Sequence, residues 1–356
     1  MKNKKLWISI GAIFIVLGAI LFTVTACSLG FDFGNTFGNE PENTITVTDG
    51  FESIDISSDT ADIDFVLTSD GSCKVSTTDK KGIRYTAAVD NGVLKIKSVD
   101  ERKWFERIFN FTKASLTVYL PESEYATLVI TEDTGDINIP SYFKFRGINL
   151  NLSTGDVNCY ASTFESVKIN GSTGNVKLEG ANAGYVDVTV STGKITVNGA
   201  DCAGDINVKV STGDVIIANS SCKNLISRGS TGDFKADNVT VAENATVERS
   251  TGKTRLYNLV CKNLTAEADT GDLDMVNVTA SESFSIKRST GDVSFDGCDA
   301  EKISVVTDTG SVKGTLLSGK NFDARSDTGK IEVPADSGEG ICKITTDTGN
   351  IRISIK

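Results

Sequence analysis

Apolar and polar residues alternate along most of the chain, and the alternation itself repeats. After each of a series of Thr-Gly dipeptides, the second and fourth residues are apolar in nearly every repeat, as in Val157/Cys159 and Ile195/Val197. A second alternating run precedes the next Thr-Gly. Alternation with a period of two is typical of strands with one buried face. Between the two runs, nine residues after the glycine, we expect an inward and mostly small position, occupied by Phe164, Ala183, Cys202, Cys222, Val241, Cys261, Ala280 and Ala300.

The Thr-Gly dipeptides recur at intervals of 19 or 20 residues, twelve times in all. A sharp reversal between strands favours a residue with positive φ, which glycine adopts without a steric penalty. One coil cannot bury its own apolar face, so the coils must stack. We therefore predict an all-β fold, a parallel β-solenoid of about twelve coils over residues 132–356. Its structural turn glycines are Gly135, Gly155, Gly174, Gly193, Gly213, Gly232, Gly252, Gly271, Gly291, Gly310, Gly329 and Gly349.

Residues 45–131 lack the strict period. Ile54–Phe65 echoes the repeat, with Ala61 where glycine is expected. An alternating run follows Asn91-Gly92, a dipeptide that is typical of a tight antiparallel hairpin. We predict an N-terminal antiparallel β cap here, because an open solenoid end is prone to aggregate. The aromatic segment Lys103–Phe109 is interpreted as packing the cap onto the first coil, with a membrane-resting or partner-binding patch as the alternative.

The N-terminus predicts that the body of the protein is delivered across a membrane. Residues 1–5 are a basic cytoplasmic stub, and the 21 residues 6–26 are uncharged. At about 1.5 Å per residue this run spans roughly 30 Å, enough for a transmembrane helix. Two alternatives stay open, a lipoprotein signal with lipidation at Cys27 and simple secretion. Residues 27–44 are interpreted as a tether. We predict a single-pass protein of the cell membrane whose body is extracytoplasmic.

Composition narrows the function classes. The net charge is −11 and the chain has no histidine. An acidic body repels phosphate backbones, so we expect no nucleic acid partner. Without histidine, the commonest general base and the commonest metal ligand are both absent. We therefore expect no catalytic residues, no metal and no cofactor, and predict that the protein is not an enzyme.

Cysteines and corner acids offer two further candidate chemistries. The eight cysteines include no CxxC pair, which leaves no usable spacing for structural zinc. We interpret them as small buried apolar side chains, with a disulfide between Cys202 and Cys222 or a reactive thiol as alternatives. Acids such as Asp136 and Asp269 form rows at the corners. Solvated turn acids are the favoured interpretation, and a calcium-binding row is the alternative.

Several segments together resemble a known bacterial family. They are the N-terminal apolar anchor, the Gly-Phe-Asp-Phe tether at residues 30–33, the strand Thr117–Pro121 and the repeated Ser-Thr-Gly-Asp-Val coils. The chain resembles, over nearly its whole length, the "putative adhesin" family with β-strand repeats, whose function is unassigned. The resemblance implies a surface β-solenoid and supplies no catalytic residues.

The resulting hypothesis is a non-enzymatic cell-surface β-solenoid that acts as a binding, adhesion or envelope scaffold module. The alternative is a carbohydrate-active β-helix enzyme on cell-wall or extracellular polysaccharide. Near-constant coil lengths disfavour it, because they leave no long loops to build a groove. Expected partners are the membrane through the anchor and an envelope protein or wall glycan. Self-association is also expected at the C-terminal edge, where Ile351–Ile355 ends the chain without a capping segment.

Overall fold

The computed structural model describes residues 42–78, 83–100, 114–335 and 338–356. Within these ranges all regular secondary structure is β, and none of the described segments is an apolar helix of membrane-spanning length. The predicted helix at residues 6–26, Cys27, most of the tether and Lys103–Phe109 lie outside the described residues.

The N-terminal part combines antiparallel and parallel pairing. Its strands are β1 (Glu42–Val47), β2 (Ser53–Thr68), β3 (Cys73–Thr78), β4 (Ile83–Asp90), β5 (Val93–Asp100), β6 (Ala114–Pro121) and β7 (Glu124–Thr134). β4 and β5 form the hairpin predicted at Asn91 and Gly92, whose φ angles of 51° and 74° suit a two-residue turn. β3 pairs antiparallel with both β1 and β6.

β2 is the first layer of the solenoid. It bends at Ala61, and its two halves pair in parallel with β7 and with the next coil at Ile137. On its other side, β5 and β6 pair with the same two halves. β5 and β6, which pair antiparallel with β4 and β3, therefore cover the first layer of the solenoid. This protects an edge that would otherwise be open.

The regular part of the solenoid stacks three-segment coils. Each segment pairs in parallel with its equivalent in the next coil, as Val176 does with Ile195. The twelve Thr-Gly corners bound about 11 complete turns. The strands are β8 (Ile137–Ile139), β9 (Lys144–Thr154), β10 (Val157–Cys159), β11 (Ser162–Thr173), β12 (Val176–Glu179), β13 (Asn182–Ala183), β14 (Tyr185–Thr192), β15 (Ile195–Asn198), β16 (Asp201–Cys202), β17 (Ile206–Thr212), β18 (Val215–Cys222), β19 (Leu225–Thr231), β20 (Phe234–Val241), β21 (Asn244–Thr251), β22 (Thr254–Thr270), β23 (Leu273–Val276), β24 (Thr279–Thr290), β25 (Val293–Thr309) and β26 (Val312–Leu316).

The core follows the predicted alternation except at Phe164 and in the outermost layer. The apolar residues two and four positions after the corner glycines are buried, as Val215 and Ile217 illustrate, but Ile331, two residues after Gly329, is 43% exposed. Seven of the eight predicted inward positions nine residues after the glycine are buried as well. Phe164 is 50% exposed, and Thr163 is buried instead. The prediction for Phe164 is wrong because this coil turns inward one residue earlier than the next: its buried positions are Ala161 and Thr163, where the next coil has Ala181 and Ala183.

The last two coils are stacked in the reverse of their chain order. The strands are β27 (Lys320–Thr328), β28 (Ile331–Glu332), β29 (Gly340–Thr348) and β30 (Ile351–Ile355). β29 pairs with β25 on one side and β27 on the other, and β30 lies between β26 and β28. The prediction that Ile351–Ile355 is an uncovered edge is therefore wrong. β27 and β28 form the outermost layer instead.

Candidate functional site

The corner glycines stack directly on one another. A Cβ added to Gly213 would overlap the carbonyl oxygen of Gly193, and φ of Gly213 is +140°. The same overlap with the layer below recurs at all twelve corner glycines, whereas a positive φ that favours glycine is found at eight of them. Close stacking thus requires glycine at every corner, and backbone conformation adds to that requirement at most of them.

The acids that follow the corner glycines form a hydrogen-bonded row. The carboxylate of Asp136 accepts a hydrogen bond from the backbone N–H of Asp156 at 2.8 Å, and Asp156 accepts one from Asn175 at 2.7 Å. Asn175 in turn accepts the N–H of Lys194 at 3.0 Å. These side chains satisfy exposed backbone donors between coils, which explains why Asp, Asn or Ser so often follows the glycine. The described residues include no cluster of three or more acidic or cysteine side chains arranged for a metal ion.

A second corner carries asparagines that the sequence reasoning missed. Asn219, Asn238, Asn258 and Asn277 adopt φ of 49° to 56°, a conformation that asparagine tolerates better than most residues. The amide of Asn238 donates to Oδ1 of Asn219 at 3.0 Å. The sequence does indicate this second corner, because Asn or Gly stands six residues after many of the corner glycines. This column stabilises stacking in the same way as the acid row.

The cysteines lie in the core. All seven in the described residues are buried and free, including Cys202 and Cys222. Burial raises the pKa of the Cys202 thiol to about 11 and that of Cys222 to about 12. Thiols with such pKa values stay protonated and unreactive at neutral pH.

A groove interrupts the longest face of the solenoid, the one formed by the third segment of each coil. Its volume is about 410 Å³ and it runs along the solenoid axis across five coils. One side is a charged row, in register from strand to strand, made of Lys209, Arg228, Glu248, Glu267 and Lys287. The other side is a row of corner side chains, Ser211, Ser230, Ser250, Asp269 and Ser289.

The floor of the groove is the inward column between these two exposed rows. Earlier coils hold Val190 and Val210 in that column, which fill the core. Gly229, Arg249 and Ala268 occupy it in later coils. We predicted no groove, because the coils carry no long loops. The structure corrects this: the groove lies between two rows of outward side chains and needs no loop.

Arg249 is the unusual residue of the floor. Its side chain is 4% exposed, and its guanidinium carbon lies 5.4 Å from the ring centre of Phe234. Nη2 donates to Ser227 Oγ at 2.8 Å, but Nε and Nη1 have no hydrogen-bond partner. Burial lowers the pKa of Arg249 to about 10, with Asp214 opposing the shift. The guanidinium therefore remains charged at neutral pH with two unsatisfied donors.

Arg288 provides an internal comparison. It occupies the same inward column two coils further on, is 1% exposed, and has no partner for Nε, Nη1 or Nη2. Burial also lowers its pKa to about 10. Unlike Arg249, it does not line the groove. The two guanidinium groups thus share a buried environment in the core.

Comparison with known proteins identifies the family. The family model described as Toastrack DUF4097 matches residues 51–258, 186–293 and 244–356, which together cover most of the chain. The chain belongs to the Toastrack family. This confirms the resemblance inferred from the Thr-Gly repeats. No curated protein matches the Toastrack chain described here.

Solved structures similar to this Toastrack protein carry related descriptions. A putative adhesin from Bacteroides fragilis shares 14% identity, with 88% of this chain and 97% of that one covered and a TM-score of 0.21. A putative cell adhesion protein from Clostridium sporogenes shares 9% identity over 89% and 99%, with a TM-score of 0.18. A putative lipid binding protein from Parabacteroides distasonis shares 15% identity over 89% and 98%, with a TM-score of 0.27. TM-scores this low carry no argument about function.

Proposed function

We propose that this Toastrack protein is a non-enzymatic surface module that binds an extracellular or envelope polymer along the long face of its solenoid. The groove carries the proposal, because its two walls hold charged side chains and serine hydroxyls at regular spacing across five stacked coils. Binding sites combine a concave surface with a few convergent polar groups. A rigid stack of paired strands holds those groups at fixed spacing, which suits recognition of a repeating polymer.

A second candidate is a polysaccharide-cleaving enzyme, and the acids that line the groove favour it. Glu248, Glu267 and Asp269 all line the groove, and pairs of carboxylates serve as acid and base in glycoside hydrolysis. Glu248 is already engaged with Arg228, whose Nε lies 2.9 Å from its Oε2. This leaves Glu267 and Asp269 as the pair that the alternative would need.

One experiment separates the two candidates. The full-length chain, kept in detergent, is mixed with purified envelope and wall polysaccharides, and both co-sedimentation and the release of reducing ends are measured. The binding module should be retained saturably and should release no fragments over hours. Fragment release that continues with time, and that is lost in a Glu267→Gln variant, would establish the enzyme instead. A Glu165→Gln variant, at an exposed position away from the groove, serves as the matched control.

The proposal also includes attachment to the cell membrane with the body outside. The support is the uncharged run 6–26 after the basic stub, with Cys27 as the lipidation alternative. A Cys27→Ser variant should stay in the membrane fraction if the run is a transmembrane helix. Release of that variant into the medium, together with lipid labelling of the wild type at Cys27, would favour the lipoprotein alternative.

Self-association is proposed at the outermost layer, β27 and β28, in place of the C-terminal strand. Ile331 in that layer is 43% exposed. Asp323 and Arg325 on β27, and Pro334 just beyond β28, are residue types that limit edge pairing. Sedimentation across a concentration series should show a weak dimer that an Ile331→Lys variant abolishes. A monomer at every concentration would exclude this association.

A further inference from the structure

We propose that a surface pocket around Tyr185 binds a neutral sugar ring of a glycan chain, which stacks on the exposed tyrosine ring. The pocket lies on the long face of the solenoid, where the third segment begins, and the groove lies where that segment ends. The two share no lining residue, so this site goes beyond the proposed function. The volume of the pocket is about 480 Å³, within the range of roughly 300–1,000 Å³ that is typical of small-ligand sites.

Two successive glycines leave one side of the pocket without side chains. Gly184 and Gly204 stack in one column, and the N–H of Gly204 donates to the carbonyl of Gly184 at 2.7 Å. The same column holds the exposed residues Glu165 in the coil before and Lys223 in the coil after. A Cβ on Gly204 would lie 3.7 Å from Cβ of Tyr185, so a side chain there would border the tyrosine. Glycine leaves that side of Tyr185 open.

Tyr185 is the exposed aromatic residue of the pocket. Its side chain is 47% exposed, and its neighbours in register are Ser166 and Asp205, neither of which is apolar. No hydrogen bond or ring contact of Tyr185 occurs in the part of the chain that the structure describes. The axial C–H bonds of a sugar ring carry partial positive charge and the face of an aromatic ring carries negative charge, so the two attract. A rigid tyrosine also supplies contact area at a low cost in conformational entropy.

The polar side chains near Tyr185 include both acceptors and donors of hydrogen bonds. Oδ1 of Asp187 accepts from Nδ2 of Asn207 at 3.3 Å, and Oδ1 of Asp205 accepts from Nδ2 of Asn224 at 2.8 Å. Within the described ranges, neither Oδ2 atom has a hydrogen bond and Lys223 has no ion pair. A sugar hydroxyl both donates and accepts, so carboxylate oxygens and an ammonium side by side match its hydrogen-bonding groups.

Charge favours a neutral sugar over an acidic one. The pocket has two carboxylates, those of Asp187 and Asp205, against the single ammonium of Lys223, and the whole chain has a net charge of −11. A uronic acid or a phosphate would therefore meet like charge. A purely apolar ligand would take the polar groups out of water without offering them partners, which costs free energy. A neutral sugar ring avoids both penalties.

The test is a saturation-transfer NMR titration of the full-length chain, kept in a polyoxyethylene detergent that has no sugar headgroup. The probe is a β-linked tetrasaccharide of glucose, whose ring hydroxyls are equatorial, so that its ring faces present axial C–H bonds. Two comparison ligands are the same tetrasaccharide with its primary alcohols oxidised to carboxylates, and glucitol, which has the hydroxyls without the ring. Saturation should reach the axial protons of the probe, and both comparison ligands should bind at least about tenfold more weakly.

Variants then locate the site. Tyr185→Ala should weaken binding of the probe about tenfold or more, whereas Tyr185→Trp, which keeps an aromatic ring, should bind within about threefold of wild type. Phe164→Ala is the matched control, because Phe164 is a similarly exposed aromatic residue, at 50%, that does not line the pocket. Its affinity should equal that of wild type.

A second variant tests the polar side of the pocket without changing the ring. Asp205→Asn should weaken binding of the probe about fivefold, because hydrogen bonds to a charged acceptor are stronger than those to an amide. Asparagine occupies the same column in the next two coils, at Asn224 and Asn244, so this variant should fold normally.

Specific outcomes overturn the inference. Equal binding of glucitol would show that the sugar ring is not recognised, and equal binding of the oxidised tetrasaccharide would refute selection of a neutral sugar. Equal losses in Tyr185→Ala and Phe164→Ala would refute the pocket as the site, and a loss in Tyr185→Trp as large as in Tyr185→Ala would refute stacking on the ring.

The inference and the proposed function fail separately. If the wild type retains polysaccharides in co-sedimentation but does not bind the probe at Tyr185, only the inference fails. If the wild type binds the probe at Tyr185 but retains no polysaccharide, the proposed function fails and the sugar pocket stands.

Discussion

Gly229 lies against the guanidinium of Arg249, so closely that a Cβ on Gly229 would overlap Nη1 of Arg249. The absence of one side chain thus creates the space for the buried charge. In other coils the same inward column holds Val190 or Val210, which fill the core there. At Gly229 and Arg249, a buried guanidinium with unsatisfied donors replaces this apolar packing.

A Gly229→Ala variant should displace the guanidinium from Ser227 and lower the free energy of unfolding by roughly 1.5–3 kcal/mol, because a hydrogen bond of a charged group is lost in the core. The new Cβ would also crowd the backbone oxygen of Val210. Gly171→Ala is the control: it lies in the same column, and its new Cβ would make an ordinary contact, 3.6 Å from Val190. Urea unfolding measures both, and an unchanged midpoint for Gly229→Ala would contradict the close packing of this pair.

A Gly213→Val variant should lower the free energy of unfolding by more than about 1 kcal/mol, through backbone strain and overlap with the Gly193 carbonyl. The Gly193 carbonyl belongs to the backbone and cannot move aside as a flexible side chain could. Gly180→Asn is the matched control, since φ there is +67°, the added Cβ meets nothing within 4 Å, and asparagine occupies the same corner in later coils. Urea unfolding measures both, and equal midpoints for wild type and Gly213→Val would refute close stacking at the corner.

Glu132 should make stability depend on pH. Its side chain is 1% exposed, Oε1 accepts the N–H of Ala61 at 3.0 Å, and Oε2 has no partner. Burial raises the pKa of Glu132 to about 7. The unfolded chain loses this proton near pH 4.3, so between the two values the folded state binds more protons. The contribution of the protonated Glu132 to the free energy of unfolding is therefore greatest below about pH 4. This contribution, roughly 3 kcal/mol in total, is lost as the pH rises to about 7.

A Glu132→Gln variant should remove most of that slope and should be more stable than wild type at pH 8. The amide oxygen can still accept the Ala61 N–H, so the corner is preserved. Unfolding free energies measured from pH 4.5 to pH 8 test this, with Glu165→Gln as an exposed control. A slope that persists in Glu132→Gln would assign the pH dependence to other groups.

The reversed order of the last two coils predicts an unusual pattern of hydrogen exchange. Amides of Ile351–Ile355 should exchange as slowly as those of central strands such as Val215–Cys222, because they lie between β26 and β28. Amides of the outer layer Lys320–Thr328 should exchange faster, since that layer is paired on one side. Faster exchange at Ile351–Ile355 than at Lys320–Thr328 would contradict this order.

The structural features that repeat in every coil could be predicted from the sequence. Corner glycines such as Gly213 and inward residues such as Val215 recur at a fixed period, because each coil meets the same packing requirement. The order of the last coils could not be predicted, because the corners at Gly310, Gly329 and Gly349 share the Asp-Thr-Gly pattern and stack equally well on one another. The one-residue offset of the inward positions before Phe164 likewise left no trace in the spacing of the glycines.

The groove was missed for a different reason. It lies between two rows of outward side chains, and these rows form only when strand pairing brings the coils into register. Charge patterns alone did not reveal it, since Lys209 and Arg228 are separated by 19 residues in sequence and become neighbours through strand pairing.

The most direct test of the binding role is to find where a ligand lies on the folded chain. A wall or envelope polysaccharide that the protein retains in co-sedimentation, carrying a photoreactive diazirine, is cross-linked to the full-length protein and the modified peptides are sequenced. Cross-links should concentrate on the groove segments Lys209–Ser211, Arg228–Ser230 and Glu248–Ser250, and an excess of unlabelled polysaccharide should suppress them. Cross-links spread evenly along the solenoid, or concentrated on the Thr-Gly corners away from the groove, would contradict the assignment of this face as the binding surface.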